Sequence, residues 1–366
     1  MTTALNKMAP EAPSPDLTSV GLAVDALVAE KRAFAVIWPY LGKPRWFQNG
    51  APRSQSYFWA RTFSGLPGTG LWNNWEKQTQ LFETHSPSGS FPQGQTPAFV
   101  IEPATDDEDF PSFRERVETV RTNISQSKVD KVVLSRTRTA QIRSGSVGAA
   151  LAKLRPPTQG QTLFLMHQPN AGTFLGSSPE MLFAISGSEM QVDALAGTAT
   201  TPGALAASQK DYVEHKFVCD AVKETLAPWL ESIAVSTPTP VPRGELFHFH
   251  SSFKGRLRGH TEIFKLADAL HPTPAVGISP RSKLPSLVDY ESADRGYYAA
   301  PLGIVEENDE GSVDYAHVSV ALRCALIREQ TVTFFGGAGV VAESQAEKEW
   351  EETKLKMSNL EKAWSL

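Results

Sequence analysis

The chain contains few cysteines and no long apolar run. Cys219 and Cys324 are its two cysteines among 366 residues, and they form no metal-ligand spacing. Such scarcity is typical of a reducing compartment. No stretch of about 18 apolar residues predicts a membrane span, and the N-terminus lacks the basic segment and apolar run of a signal peptide. We therefore expect a cytoplasmic protein that neither crosses nor binds a membrane.

A surplus of positive charge is also missing. Lys and Arg number 35 against 40 Asp and Glu, which gives a formal net charge of −5 and a pI near 6.0. This balance argues against nucleic acid as a partner. Hydrophobic residues make up 41% and charged residues 20% of the chain, as in globular proteins.

No internal repeat or interdomain linker divides the chain. Residues 1–18 are rich in Pro, Ala, Thr and Ser, so we expect them to be disordered, with residues 19–366 forming a single domain. A Gly/Pro/Ser-rich stretch, from about 64 to 94, separates two early strands. Neighbouring strands with tight turns, and helices gathered between them, predict an α+β fold with largely antiparallel sheets.

Hydrophobic periodicity gives the individual elements. Predicted helices cover 111–128, 347–357 and a segment from Gln209 to about Trp229, which Ser208 would cap with Asp211 in a capping-box arrangement. "DEG" at 309–311 predicts a hairpin turn. The predicted strands are 33–40, 97–103, 131–142, 161–168, 173–186, 190–198, 303–308, 313–327 and 331–341.

The helix "EKEWEETKLKM" places two carboxylates and an amine on one face. Glu349, Glu352 and Lys356 are three and four residues apart, which stacks them on successive turns. A mostly apolar stripe runs beside them, formed by Trp350, Thr353, Met357, Leu360 and Trp364. Taken alone, this helix fits either a solvated Glu–Lys ladder or a cation site.

A carboxylate also lies on the apolar face of the helix that begins at Gln209. Glu214 projects onto the face of Val218, Val222 and Leu226 at about 100° per residue. Burial there requires a counter-charge, hydrogen bonds or a cation. Glu214 is therefore either a partly exposed residue near the helix start, or, with Glu349 and Glu352, a ligand of a hard cation such as Mg²⁺.

Ten segments in series resemble those of the chorismate-utilising enzymes, and among them the isochorismate synthases. The resemblance implies an α/β sandwich of two large, mainly antiparallel sheets between helices, with the active site in a cleft and a monomeric state. The motif-bearing region is about 105–362. The segments are "KVVLSR" (131–136), "LGSSPEML" (175–182), "ALAGTA" (194–199), "QKDYVEH" (209–215), "LFHFHSSFKG" (246–255), "LHPTPAVG" (270–277), "DRGYYAAPLG" (294–303), "VALRCALI" (320–327), "GGAGVV" (336–341) and "EWEETKLKM" (349–357).

The resemblance implies a reaction and its two catalytic residues. Isochorismate synthases add water at ring carbon 2 of chorismate and remove the hydroxyl at carbon 4, which requires a base and an acid. Lys131 matches the base and Glu180 the acid. For these roles the lysine pKa has to fall from about 10.4 and the glutamate pKa has to rise from about 4.3.

The same resemblance implies the metal and substrate contacts. Glu214 and Glu352, with Glu349 beside them, match positions that hold Mg²⁺ against the ring carboxylate of chorismate. Arg323 would form a fork to the enolpyruvyl carboxylate. The full set expected to bind substrate is Gly197, Thr198, His248, Ala275, Arg323, Gly337, Ala338, Gly339 and Lys356.

Two residues distinguish among members of the family. The aminating anthranilate and aminodeoxychorismate synthases usually lack a lysine at the place of Lys131. Salicylate synthases share it but usually carry Thr at the place of Ala275. Isochorismate synthase is therefore the expected function, with a salicylate synthase, an aminating enzyme and a non-catalytic chorismate binder as alternatives. His250 and "GISPRSK" depart from the usual family pattern, and we expect both to alter the pocket shape and the rate without touching the proposed acid, base or metal ligands.

Overall fold

The computed structural model describes residues 17–39, 45–48, 56–63, 79–85, 98–154, 160–243, 246–259, 261–308 and 312–365. Within these ranges a 3₁₀ helix covers Arg281–Tyr290. The α-helices are α1 (Leu17–Ala29), α2 (Phe110–Ser125), α3 (Val147–Ala152), α4 (Pro202–Ala207), α5 (Gln209–Leu226), α6 (Ile263–Leu270) and α7 (Ala346–Trp364). None of the helices in this part of the chain is both long and apolar enough to span a membrane.

The described strands are numbered along the chain. They are β1 (Phe34–Pro39), β2 (Arg45–Gln48), β3 (Ser56–Arg61), β4 (Thr79–His85), β5 (Val100–Ile101), β6 (Thr105–Asp106), β7 (Lys131–Ser144), β8 (Thr162–Gln168), β9 (Gly172–Ser178), β10 (Met181–Ser186), β11 (Glu189–Ala199), β12 (Ala234–Val235), β13 (Thr239–Arg243), β14 (Leu246–Arg256), β15 (Ile278–Ser279), β16 (Pro301–Glu307), β17 (Val313–Val320), β18 (Cys324–Arg328) and β19 (Thr331–Val340).

The long strands form two antiparallel sheets. The first has the order β7-β19-β18-β9-β8-β1, and the second β3-β16-β17-β10-β11-β14. The two short strands β2 and β4 pair with each other and link β1 to β3. The predicted α+β fold with two large antiparallel sheets is therefore confirmed. One expectation was wrong. The Gly/Pro/Ser-rich stretch from about 64 to 94 was expected to connect two strands without forming one, but it contains β4.

Helices cover the sheets with their apolar faces. Helix α5 contributes Val218, Val222 and Leu226 to the larger core, which also holds residues of both sheets. Helix α7 contributes Met357, Leu360 and Trp364 to a second core, shared with α1 and α3. The apolar stripes predicted for both helices are thus buried, and the two helices pack into different layers. Their first turns carry the candidate metal ligands.

The predicted start of α5 is confirmed in part. The Ser208 hydroxyl accepts a hydrogen bond from the Asp211 backbone N–H at 3.2 Å, as an N-cap residue does. The Asp211 carboxylate accepts instead from the Thr198 backbone N–H at 3.0 Å. Asp211 thus ties the helix to the end of β11 rather than completing a capping box, and the helix ends at Leu226, short of the predicted Trp229.

Two predicted strands are each divided into two. The segment 173–186 breaks at Pro179–Glu180, between β9 and β10, and 313–327 breaks before Arg323, whose φ of 49° ends the extended conformation. The Val320 N–H donates to the Glu180 carbonyl at 3.0 Å, which joins the two breaks. The predicted turn at 309–311 lies outside the described residues, as does the predicted disordered N-terminus except Leu17 and Thr18, which begin α1.

Candidate active site

A pocket of about 630 Å³ opens where strands of both sheets meet α5 and α7. Nine residues predicted for the site line it: Glu180, Gly197, Thr198, Glu214, His248, Ala275, Arg323, Gly337 and Lys356. Five others are not part of its lining: Lys131, Ala338, Gly339, Glu349 and Glu352. Of these, Ala338 is fully buried on β19.

Lys131 lies directly behind the pocket wall. It opens β7 with no exposed surface, and its Nζ donates to Glu214 Oε1 at 2.9 Å. Gly339 on β19 leaves the space for this pair, because a Cβ there would stand 2.3 Å from Glu214 Oε1 and 2.8 Å from Lys131 Cε. Any larger residue at position 339 would force the side chains of this ion pair to shift.

Glu180 is a buried carboxyl group in the break between β9 and β10. It is 4% exposed, and its backbone N–H donates to Ser178 Oγ at 3.2 Å. Its pKa is raised to about 8, mainly by burial and also by Asp193, against the opposing effects of Lys131 and Lys356. The carboxyl group therefore keeps its proton near neutral pH, as a general acid must.

His248 has a defined hydrogen-bonding arrangement. Its Nδ1 lies 2.8 Å from the Gly197 carbonyl oxygen, so Nδ1 carries the proton and Nε2 presents a lone pair. Burial lowers the pKa of this imidazole to about 3, with Arg323 and Lys356 adding to the effect. The neutral ring faces Arg323, whose Nη2 is 3.4 Å from Nε2.

The turn that holds Gly197 depends on glycine. Its φ is +72°, and a Cβ would come within 2.8 Å of the Asp211 Cβ and 2.9 Å of the Asp211 carbonyl oxygen. Only glycine meets both conditions without strain. The next N–H, on Thr198, is held by the Asp211 carboxylate, so the pocket wall is fixed against α5.

Arg323, just before β18, supplies positive charge to the pocket. Its Nη1 donates to the Lys356 carbonyl oxygen at 3.2 Å, which fixes the guanidinium beside α7. Burial lowers its pKa to about 10, although Tyr298 and Glu352 oppose this. The guanidinium stays charged at neutral pH and can bind a carboxylate in the pocket.

Lysines pair with each of the three candidate metal carboxylates. Besides the Lys131–Glu214 pair, Lys356 Nζ contacts Glu352 Oε1 at 2.6 Å and Lys210 Nζ contacts Glu349 Oε1 at 2.8 Å. Glu349 is only 1% exposed. Its pKa is raised by burial and by Glu352. Burial alone would also raise the pKa of Glu352, but Lys356 and Lys210 outweigh it and lower the value.

These three carboxylates are ligands of the type that Mg²⁺ prefers, but they do not surround a metal position. Among the described residues, no three His, Cys, Asp or Glu side chains are grouped closely enough to enclose a metal ion. Mg²⁺ needs only one or two protein carboxylates, because it keeps several waters and shares substrate oxygens. Both oxygens of buried Glu349 also lack a hydrogen bond of good geometry in this part of the chain. The donor set therefore fits Mg²⁺.

Several pocket residues were not singled out from the sequence. Tyr298 stacks on Phe335 with centroids 5.5 Å apart, and both line the pocket together with Leu195, Arg295 and Leu322. Lys210 and Asp211 were also missed as site residues. The family-like motifs "DRGYYAAPLG" and "QKDYVEH" contain Arg295, Tyr298, Lys210 and Asp211. These motifs could therefore have pointed to the four residues, but hydrophobic periodicity gave no reason to select them.

Comparison with known proteins identifies the class. A family model described as chorismate binding enzyme matches residues 68–365, and the chain belongs to this family. The salicylate biosynthesis isochorismate synthase of Pseudomonas aeruginosa is 36% identical over 255 residues, which cover 66% of this chain and 52% of that protein. Isochorismate synthase EntC of Escherichia coli K12 is 32% identical over 267 residues, covering 68% and 66%. The matches thus span about half to two-thirds of these relatives.

Solved structures share the fold. MenF, the menaquinone-specific isochorismate synthase from Escherichia coli, superposes with a TM-score of 0.78 at 19% identity, covering 97% of this chain and 92% of MenF. Anthranilate synthase component I from Streptococcus pneumoniae gives a TM-score of 0.67 at 18% identity, covering 86% and 82%. Because this fold serves both proteins, it does not by itself select a reaction.

Proposed function

We propose that this protein is an isochorismate synthase, an isomerase that converts chorismate to isochorismate. The observation that carries the proposal is a pocket lined by a protonated buried carboxyl group, Glu180, and a guanidinium, Arg323. The buried lysine Lys131 lies behind its wall, hydrogen-bonded to the lining residue Glu214. The similarity to two proteins named isochorismate synthase supports the same reaction.

In the proposed reaction Lys131 first releases to solvent the proton through which it pairs with Glu214. Its neutral amine then takes a proton from the water that attacks ring carbon 2. Glu180 donates its proton to the hydroxyl that leaves carbon 4, so one water is added and one is lost. Arg323 would bind a substrate carboxylate, and neutral His248 would orient the guanidinium from its other side. The Gly197–Thr198 turn would line the pocket beside the leaving hydroxyl.

We propose Mg²⁺ as the cofactor, held by Glu214 and Glu352 with Glu349 beside them. When bound, the metal would neutralise the ring carboxylate of chorismate and fix the ring in place. Ala275 lines the pocket where salicylate synthases usually carry Thr, and this supports stopping at isochorismate. The cytoplasmic location, the monomeric state and the single domain over 19–366 remain predictions.

The test is product analysis with purified protein, chorismate and Mg²⁺, resolved by chromatography and NMR. We expect a mixture of chorismate and isochorismate whose formation stops with EDTA, with Lys131→Ala or with Glu180→Gln. Lys128→Ala, an exposed lysine just before β7, is the matched control and should remain active. Salicylate with equimolar pyruvate would instead identify a salicylate synthase, and unchanged chorismate would contradict both enzymes and favour a binding protein.

A further inference from the structure

Lys210 occupies an unusual place for a lysine. It is the second residue of α5, with its side chain 23% exposed, and its ammonium reaches across to Glu349 on α7. The charges that favour its protonated form are Glu352, Glu214 and Glu349. This ammonium thus contacts one of the three carboxylates proposed to hold Mg²⁺ and is favoured electrostatically by the other two.

Besides Lys210, the Ser344 side chain also interacts with the Glu349 carboxylate. The carboxylate is 1% exposed, and neither oxygen has a well-directed hydrogen bond among the described residues. Lys210 is its close counter-charge at 2.8 Å. A buried carboxylate without a counter-charge is strongly unfavourable, so this contact stabilises the arrangement of α5 against α7.

A small divalent cation would seek the same oxygens. Mg²⁺ binds carboxylates in octahedral geometry at 2.0–2.1 Å, closer than an ammonium can approach. Because the Lys210 side chain reaches solvent, its ammonium can turn outward when another cation takes its place. Lys131 and Lys356 lack this freedom, since Lys131 is fully buried and Lys356 also donates to the Gly337 carbonyl at 2.9 Å.

We propose that Lys210 is an internal cation that neutralises the carboxylates joining α5 and α7 and competes with Mg²⁺ for them. This inference rests on the proposed metal site and adds a positioning residue to it. Lys210 stabilises the metal-free protein, because its positive charge reduces the repulsion among the three carboxylates. The same charge weakens metal binding.

The experiment measures Mg²⁺ affinity of the full chain by isothermal titration calorimetry without substrate. Lys210→Met removes the charge and retains much of the side-chain length. We expect it to bind Mg²⁺ at least about fivefold more tightly than the wild type, the lower end of ordinary coupling between two ligands. It should also lower the unfolding temperature of the metal-free protein, and saturating Mg²⁺ should restore much of that loss.

Lys216→Met is the matched control. Lys216 lies on the same helix and pairs with Asp220, but both side chains are 63% exposed. We expect its Mg²⁺ affinity to equal that of the wild type. Lys210→Gln serves as a second variant if Lys210→Met does not fold, with the same expected tightening.

Unchanged or weaker Mg²⁺ binding in the Lys210 variants overturns the inference, since a structural or metal-supporting lysine would give these results. The proposed function fails separately: it is contradicted when wild-type protein that binds Mg²⁺ leaves chorismate unchanged. Absence of Mg²⁺ binding by the wild type and the Lys210 variants alike would contradict the metal site and this inference together.

Discussion

Glu180 and His248 are both removed from water, yet burial acts on them in opposite directions. A carboxyl group loses more by burial when it is charged, so its pKa rises to about 8. An imidazole also loses more when charged, but its charged form is the protonated one, so its pKa falls to about 3. At neutral pH the first therefore holds a proton to donate, and the second is a neutral hydrogen-bond partner.

The raised pKa of Glu180 predicts a pH-dependent difference in stability between Glu180→Gln and the wild type. The folded state holds this proton more tightly than the unfolded state, so the stabilisation from Glu180 is fully present below about pH 4.3. It is lost as pH rises toward about 8. Glutamine mimics the protonated form, so the variant should match the wild type near pH 4 and exceed it near pH 8.5, by several kcal/mol in order of magnitude.

Urea unfolding of both proteins at the two pH values measures this difference. Glu224→Gln, at an exposed position on α5, is the control and should show no such divergence. A Glu180→Gln variant that gains nothing at pH 8.5 would mean that the carboxylate is not held protonated in the folded protein.

These residues could be predicted only in part from the sequence. The position of Glu214 on an apolar helix face was enough to predict that it needs a partner, and it is indeed buried and paired. No local pattern linked Lys131 to Glu214 or Lys210 to Glu349, because those pairs join elements that are distant along the chain. Their partners become visible only in the folded structure.

At the scale of elements, strand β19 lies between α7 and the Lys131–Glu214 pair. Gly336 faces the Thr353 carbonyl oxygen and the Met357 side chain of α7, whereas Gly339 faces the side chains of Lys131 and Glu214. The strand can come this close to both groups because it carries no side chains at these two positions. The two glycines therefore allow β19 to approach both α7 and the Lys131–Glu214 pair closely.

Gly339→Ala tests this close approach. A new Cβ 2.3 Å from Glu214 Oε1 forces the Lys131–Glu214 pair to shift, so we expect isochorismate formation to fall at least about tenfold. Overpacking should also lower the free energy of unfolding by about 1–3 kcal/mol. Steady-state kinetics and urea unfolding measure the two effects.

Gly203→Ala is the control, because no atom lies within 4 Å of a Cβ there and alanine favours the helix. It should keep full activity and lose no stability. Equal kinetics in Gly339→Ala and the wild type would show that the pair tolerates displacement and that its position is not critical.

The helices and strands were predicted best where periodicity is strong. Helix α2, the long strand β7 and the buried stripe of α7 follow directly from their hydrophobic patterns. The breaks at Glu180 and before Arg323 were missed, because each interrupts an otherwise apolar run. Tertiary contacts, such as Val320 N–H to the Glu180 carbonyl, decide where those strands end.

At the scale of the molecule, α7 joins the site to a distant core. Its first turns carry Glu349 and Glu352, while Trp364 at its end is fully buried and donates from Nε1 to the Ala150 carbonyl at 2.9 Å. Phe99 packs edge-on against the indole at 5.2 Å. This packing holds the helix that presents the carboxylates.

Trp364→Ala should therefore reduce stability without removing the site chemistry. We expect a loss of about 3–5 kcal/mol in the free energy of unfolding, as for a large-to-small change in a core. Activity per folded molecule should stay within about twofold at a temperature well below unfolding. Trp364→Phe, which retains most of the volume, should lose less stability. Loss of activity in the fully folded Trp364→Ala protein would show instead that this end of α7 controls the site.

The pairing of strands that are far apart in sequence has a consequence for how the protein acquires activity. β7 pairs with β19 roughly two hundred residues along the chain, as in Thr139 with Thr333, and Lys131 meets Glu214 only when α5 has docked. Pairings this remote in sequence form slowly, and no early, locally folded intermediate can hold both members of the proposed acid–base pair with Arg323. During refolding, the proposed activity should return with the slowest phase of strand pairing, and turnover of chorismate would then report the last event in folding.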